Sequence, residues 1–349
     1  MLKRLFGNFR WGVLPVPGRL MAVIFFISLF ILPLISGPSS YALFILCFTN
    51  IYVIYAVSWD VLSGYTGQVN FGHALFFGVG AYGSALLNRY LGWQPAVTIP
   101  LGALIATGVG VITCLPALRL RGPYLSLLTM SFPLILVGII MSFQRFSGGS
   151  YGIWGLPPIA DSRLAQYYII LIVMTVSVLI MWKLTDAKSR YIRTGLIFHA
   201  IREDEITARA SGINTIRYKI LAFAIGGFFG GIAGAMYAHV LSVAAPPLLA
   251  LTMSFQVIIW TIFGGMVSIY GPVVGVYSLF LLMDFLRGVP VIGQHRFLIL
   301  AVIVIVMLLF MPEGVAVWIR DKIERECPRC KLTNVAWRKE CRACGAHLH

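Results

Sequence analysis

The stretch KILAFAIGGFFGGIAGAMYAHV, Lys219–Val240, has a charge at its first residue and a histidine near its end, and what lies between is almost wholly apolar or small. An unbroken apolar run of this length matches the roughly 20 helical residues that cross a hydrocarbon core about 30 Å thick, whereas a membrane β-strand alternates apolar and polar side chains over about ten. A helix in lipid satisfies its own backbone N–H and C=O groups, so the run reads as a membrane-spanning helix. It carries three overlapping small-xxx-small pairs, Gly226/Gly230, Gly227/Gly231 and Gly230/Gly234. Such pairs let helix backbones approach closely where lipid supplies no hydrophobic drive for helices to associate. Gly271/Gly275, beside Pro272, suggests a second close contact.

The rest of the chain is of the same kind. Its 349 residues are 59% hydrophobic and only 11% charged, and the mean hydropathy is +0.88. A soluble domain carries about 25% charged residues, so a soluble enzyme is excluded. Ten apolar runs qualify as candidate spans: 20–36, 41–62, 69–88, 95–118, 123–143, 167–183, 219–242, 251–268, 271–287 and 296–312. Run 69–88 is rich in glycine (Gly72, Gly78, Gly80, Gly83), and only two residues separate 251–268 from 271–287. These three are therefore candidates for broken or re-entrant helices. The expected fold is an all-α polytopic membrane protein with about eight to ten transmembrane helices. Residues 1–19 form an N-terminal segment, 20–318 the membrane domain with an internal loop at 184–218, and 319–349 a tail.

The basic start (Lys3, Arg4, Arg10, Arg19) followed by an apolar stretch superficially matches a secretory signal, but no convincing small-residue cleavage site follows Leu34, so a retained first helix is expected. With that end inside and ten crossings, only Arg89, Arg145, Arg163, Arg287 and Arg296 of the 27 Lys and Arg fall outside. Cytoplasmic loops retain basic residues, so both termini are expected in the cytoplasm. The net charge of +15 then reflects topology and attraction to anionic lipid headgroups, and no nucleic-acid partner is implied.

Three polar features interrupt the pattern. Thr194–Gly212, TGLIFHAIREDEITARASG, reads as one short helix, with Thr194 as its cap, Gly212 as its stop and Ile197, Ile201 and Ala208 at helical spacing. Its opposite face holds Arg202, Glu203, Asp204 and Glu205, which suits either a solvated loop or a docking helix for a soluble partner. In 64–83, GYTGQVNFGHALFFGVGAYG, the polar Gln68, Asn70 and His73 sit among glycines at the mouth of an apolar run. They suit a translocation path, or hydrogen bonding to neighbouring helices. Asp60 and Asp284 lie near the ends of spans, where they are functional candidates or simply reach water.

Enzyme signatures are lacking: no Gly-Lys pair exists to form a phosphate-binding GxxxxGK[ST] loop, and HExxH is absent. Gly148–Gly152 (GGSYG) matches GxSxG formally, in an expected outer loop without the strand-turn-helix such a serine needs. Cys47 and Cys114 sit inside apolar runs, whereas Cys327, Cys330, Cys341 and Cys344 form CPRC-x10-CRAC. Two thiol pairs at this spacing can wrap a tetrahedral Zn²⁺, and the reducing side on which they are expected favours metal over disulfide. The 327–344 module is thus expected to be a structural zinc finger of zinc-ribbon type whose folding energy comes from the metal.

Five ordered motifs, GYTGQVNFGHALFFGVGAYGSALL, LRLRGPYLSLLTMSF, HAIREDEITARASGINTIRYKILAFAIGGFFGGIAGAMYA, IFGGMVSIYGPVVG and MLLFMPEGV, resemble the permease subunit of branched-chain amino acid ABC transporters of LivM type, over roughly residues 40–318. The resemblance implies a permease that is not itself an enzyme. An extracytoplasmic binding protein would deliver the small-molecule substrate, a second related permease would complete the path in the inner membrane, and two ATP-binding subunits would dock below. It also implies that Ala200–Gly212, including Arg202, Glu203, Asp204, Glu205 and Ala208, is a coupling helix gripped by the ATPase. Pro133 stands where family members often carry a polar or acidic residue. Related permeases carry urea, amides or other amino acids, and a self-sufficient channel or a scaffold is the rival class. The tail resembles the Ran-binding-protein type of zinc finger, with Asn334 in place and Arg325 where that family usually has Trp.

Overall fold

The computed structural model describes residues 24–31, 33, 40–118, 120, 122–187, 193–289, 292–327, 329, 333–335, 340, 341, 344, 346 and 347. The expected 1–19 segment, much of the first span, and Arg119, Arg121 and Cys330 lie outside the described residues; 24–31 are helical.

The chain is an all-α polytopic membrane protein. Among the described residues, six helical stretches are long and apolar enough to cross a membrane: Tyr41–Gly64, Pro95–Ala117, Pro123–Ser142, Arg163–Thr185, Thr215–Leu241 and Gly293–Ile323. In chain order the helices of six or more residues from residue 40 on are α1 (Ser40–Trp59), α2 (Ala74–Leu91), α3 (Pro95–Ala117), α4 (Pro123–Ser142), α5 (Arg163–Thr185), α6 (Thr194–Glu203), α7 (Glu205–Ala210), α8 (Thr215–Leu241), α9 (Leu251–Gly264), α10 (Tyr270–Arg287), α11 (Arg296–Phe310) and α12 (Val315–Ile323). The run 69–88 is not helical throughout. After α1, a π-turn at Asp60–Gly64 leads into irregular backbone up to His73, where α2 begins. Helix α9 has 14 residues, about 21 Å of rise, short of a hydrocarbon core of about 30 Å. It forms a tight pair with α10 instead.

α8 lies against α2 on one side and α3 on the other, and its glycines are where the backbones meet. A Cβ on Gly234 would stand 1.8 Å from the Phe77 carbonyl oxygen, and one on Gly231 would stand 2.6 Å from Ala106 Cβ. Gly80 of α2 returns the contact, since its Cβ would lie 2.1 Å from the Gly231 carbonyl oxygen. Gly226 and Gly230 face Leu62 and Phe76, while Gly227 faces Ala106. The paired glycines thus line two different faces. Polar side chains bind the same three helices: Ser84 Oγ lies 2.8 Å from His239 Nε2 and donates to Thr98 Oγ1 at 2.9 Å. Interhelical bonds of this kind are each worth about 0.6–2 kcal/mol in membranes. Gly264, Gly271 and Gly275 make a second backbone contact between α9 and α10.

The loops segregate to two ends. At one, β1 (Ile153–Trp154) pairs antiparallel with β2 (Val243–Ala244), Tyr90 stacks on Phe146 at 5.0 Å and Tyr41 donates to Asp284 Oδ1 at 2.7 Å. At the other, Tyr65 meets His199, Asp60 accepts from the Val267 N–H, Gly265 packs on Gly314 and Arg320 donates to the Tyr270 hydroxyl. Asp60 is fully buried rather than reaching water, whereas the Tyr41–Asp284 bond is exposed. Ser150 of the GxSxG match sits in a 3-10 turn with its hydroxyl on Met141 Sδ, which is no nucleophile elbow.

Gly234→Leu forces the α8 and α2 backbones apart, and its cost exceeds the ~1–3 kcal/mol of ordinary overpacking because backbone cannot yield as a side chain can. Gly108→Leu on α3, where an added Cβ meets nothing within 4 Å, is the control. Size-exclusion chromatography after graded heating should show G234L lost at markedly lower temperature and G108L unchanged; equal profiles contradict the packing.

Candidate functional site

The 184–218 interruption is built from two helices rather than one. Asp204 sits in extended conformation (φ −155°, ψ 110°) between α6 and α7, and its side chain caps α7. Oδ1 accepts from the Ile206 N–H at 2.8 Å and Oδ2 from the Thr207 hydroxyl at 2.6 Å. A carboxylate that can bind the amides two and three residues on competes with helical continuation, which breaks the single helix expected over Thr194–Gly212. Thr194 does not cap α6; its hydroxyl donates to the Leu184 carbonyl at the end of α5. Gly212, at φ +83°, closes α7. Its N–H bonds to the Arg209 carbonyl and the Ile213 N–H to the Ala208 carbonyl, a Schellman stop that glycine meets without strain.

The four consecutive charges divide by direction. Arg202, Glu203 and Asp204 are exposed, with Asp204 committed to its cap, while Ile201 and Ala208 are buried, Ala200 is half-buried and Phe198 is fully buried beneath them. Glu205 is turned inward. Its Oε2 lies 2.7 Å from Lys219 Nζ, and the two side chains are 17% and 3% exposed. Its Oε1 pairs with Arg209 at 3.1 Å and accepts from the Thr215 hydroxyl at 3.4 Å. Lys219 lies inside the Thr215–Leu241 span, so this pair joins α7 to the glycine-lined helix. Removing the carboxylate from such a part-buried pair costs up to about 3–5 kcal/mol, because the enclosed Lys219 charge is left without its counterion. Burial first, and the Arg202 guanidinium next, hold the His199 imidazole below its ordinary pKa, so it adds little positive charge to this surface at neutral pH.

Gln68, Asn70 and His73 cluster in the irregular segment before α2, all buried. Asn70 Oδ1 accepts from the Gly72 N–H at 2.7 Å, Trp59 Nε1 donates to the Asn70 carbonyl at 2.7 Å, and His73 Nε2 lies 2.9 Å from Ser58 Oγ. The Asn70 and Trp59 side chains thus supply hydrogen bonds to a backbone that is not helical here. Gly67 at the start of the segment backs onto Arg202 of α6, so the segment and the charged surface touch.

In the tail, β3 (Glu324–Glu326) continues directly from α12 and pairs with β4 (Thr333–Val335). The Sγ atoms of Cys327, Cys341 and Cys344 all lie within 4.8 Å of one another. Asn334 Nδ2 is 3.5 Å from Cys341 Sγ. Three converging sulfurs with an amide N–H aimed at one of them fit a thiolate metal site; the fourth expected ligand, Cys330, lies outside the described residues.

Sequence reasoning weighed Asp60 and Asp284 as ionisable groups in spans and passed over Lys219. The signal was present: a lysine opening an apolar run, 14 residues after a carboxylate, is an intramembrane charge that requires a partner.

A glycine-packed helical bundle with a charged two-helix elbow at one end is the architecture of a multi-pass membrane protein. Residues 41–311 match the family described as the permease component of branched-chain amino acid transport systems, and the chain belongs to that family. It is 25% identical over 312 residues (81% of this chain, 72% of the relative) to the high-affinity branched-chain amino acid transport permease LivM of Salmonella typhimurium. It is 26% identical over 321 residues (84% and 72%) to LivM of Escherichia coli. The probable LivM of Methanocaldococcus jannaschii is 25% identical over 272 residues (66% and 77%). No solved structure matches the chain. Permease components of this kind are not enzymes and work with other subunits of their transport system.

Asp204→Ala removes the α7 cap at a cost of about 1 kcal/mol, which corresponds to about fivefold faster hydrogen exchange. The Ile206 and Thr207 amides should show that acceleration by exchange mass spectrometry, with α6 unaffected. Unchanged exchange contradicts the break at Asp204.

Proposed function

We propose that the chain is the membrane-spanning permease of an ABC importer for branched-chain amino acids. It would sit in the inner membrane with both termini cytoplasmic, paired with a second, related permease and fed by an extracytoplasmic binding protein. Two ATP-binding subunits grip the α6–α7 elbow. Alternating access follows from the linkage: closure of the ATPase pair displaces α6–α7, α8 moves with it, and the packing of α8 against α2 and α3 reverses the access of the central path beside Gln68, Asn70 and His73. The observation that carries this reading is the elbow itself, which presents Arg202 and Glu203 outward while its other face is tied to the glycine-lined span. The apolar outer faces of α4 and α11, with Leu127, Ile135, Leu298 and Leu309 exposed, are available to lipid and to the companion permease. The relatives' printed descriptions support the solute class.

Purified from native membranes, the tagged chain should bring down an ATPase, and the reconstituted complex should take up radiolabelled leucine only with ATP. Reversing both charges, Arg202→Glu with Glu203→Lys, should cut ATPase recovery by about tenfold or more, since like-charge juxtaposition costs several kcal/mol. ATP-independent flux through the chain alone contradicts the importer. Uptake of urea or amides in place of leucine contradicts the solute class.

The tail reads best as a structural zinc finger with Cys327, Cys330, Cys341 and Cys344 as ligands, the metal holding the short β3–β4 module together. Elemental analysis of the purified chain should find about one Zn²⁺ per chain, lost in Cys341→Ser. A Cys–Cys disulfide in the freshly isolated protein contradicts it.

A further inference from the structure

Rigid transmission between an elbow and a span requires a link that does not slip; α6 meets α8 through the edge-on contact of Phe198 with Tyr218, and α7 meets it through an ion pair. Helix α7 has six residues, too few for an apolar face that could hold it against α8 by packing, and Ala208 is its only buried residue. Yet Glu205, at its first position, reaches Lys219 Nζ at 2.7 Å, and the same carboxylate takes Arg209 and Thr215 on its other oxygen. Lys219 is 3% exposed. A cation so enclosed, in the first turns of a membrane span, is tolerated only beside its counterion. The connecting residues 211–214 are mostly exposed, so little packing holds α7 to α8 at the joint itself. Among the described residues, nearby charges do not substitute: Arg202 and Glu203 lie on the exposed face of α6, and Arg209 is itself bound to Glu205.

We infer that the Glu205–Lys219 ion pair is the strut that converts displacement of the elbow into movement of the glycine-lined helix. Both residues are positioning residues for transport rather than contacts for the ATPase or the solute. The inference rests on the importer reading above. Severing the strut leaves the elbow's outward face able to engage an ATPase, so hydrolysis continues while the span no longer follows.

The test uses the full complex copurified from native membranes and reconstituted in proteoliposomes, with ATP hydrolysis and radiolabelled leucine uptake measured on the same preparation. Lys219→Met should lower uptake by about tenfold while hydrolysis stays near wild type, so that the ATP spent per leucine rises in proportion. Lys219→Arg, which keeps the charge, should restore most of the ratio, and the exchanged pair Glu205→Lys with Lys219→Glu should recover part of it. An unchanged ratio in Lys219→Met, or uptake and hydrolysis falling together in Lys219→Met with no recovery in the exchanged pair, overturns the strut. If the wild-type complex itself shows no ATP-driven uptake, the importer reading fails instead, and the two failures are separated by that control.

Discussion

Lipid offers no hydrophobic reward for bringing two helices together, so a membrane bundle must be held by backbone contact and hydrogen bonds. In this chain the requirement is met along one helix, Thr215–Leu241, which presents Gly226, Gly230 and Gly234 to one set of neighbours and Gly227 and Gly231 to another. With no side chains in the way, the Phe77 carbonyl oxygen of α2 and the Ala106 carbonyl oxygen of α3 come within 1.8 and 2.9 Å of where the Gly234 and Gly227 Cβ atoms would be. A helix held on both faces by backbone contact moves as a body. That property makes the buried ion pair at its start consequential, because whatever pulls on Lys219 pulls on the whole helix.

The elbow and the irregular segment before α2 follow from the same constraint. Non-helical backbone needs partners: Asn70 and Ser63 accept from the Gly72 and Asn70 N–H groups and Trp59 donates to the Asn70 carbonyl, while Thr129 accepts from the Phe71 N–H and Ser254 from the Ala74 N–H across 180 residues of sequence. The segment also touches Arg202 through Gly67, so the charged surface abuts both the glycine-lined span and the irregular segment before α2. One end of the bundle gathers these elements, together with the α12 junction from which the cysteine tail departs. At the opposite end, the β1–β2 pair ties the loop between α4 and α5 to the far terminus of the glycine-lined helix.

Much of this was legible in the sequence, for identifiable reasons. Long apolar runs fix helix identity, because a span in lipid is either a helix or a barrel strand, and barrel strands alternate apolar and polar side chains. Small-xxx-small spacing identifies a helix that packs closely, but which glycine meets which neighbour depends on helix rotation, which spacing does not encode. The broken character of 69–88 was signalled by its glycines; the exact break at Asp204 was not anticipated, because a run of charges reads as a helix face until one carboxylate is seen to bind the amides ahead of it. Glu205 carried the same ambiguity. Its neighbours face outward, and only the fold reveals that this carboxylate turns in, toward a lysine that sequence reasoning had counted merely as the start of a span.

The account stands on the α6–α7 elbow lying on the side of the membrane where ATP is hydrolysed. An Arg202→Cys variant, treated with a membrane-impermeant maleimide in intact cells and in inside-out vesicles and read at position 202 by peptide mass spectrometry, tests this directly. Labelling confined to inside-out vesicles is the result the account predicts. Labelling from outside intact cells would contradict it, since no ATPase could then reach the elbow.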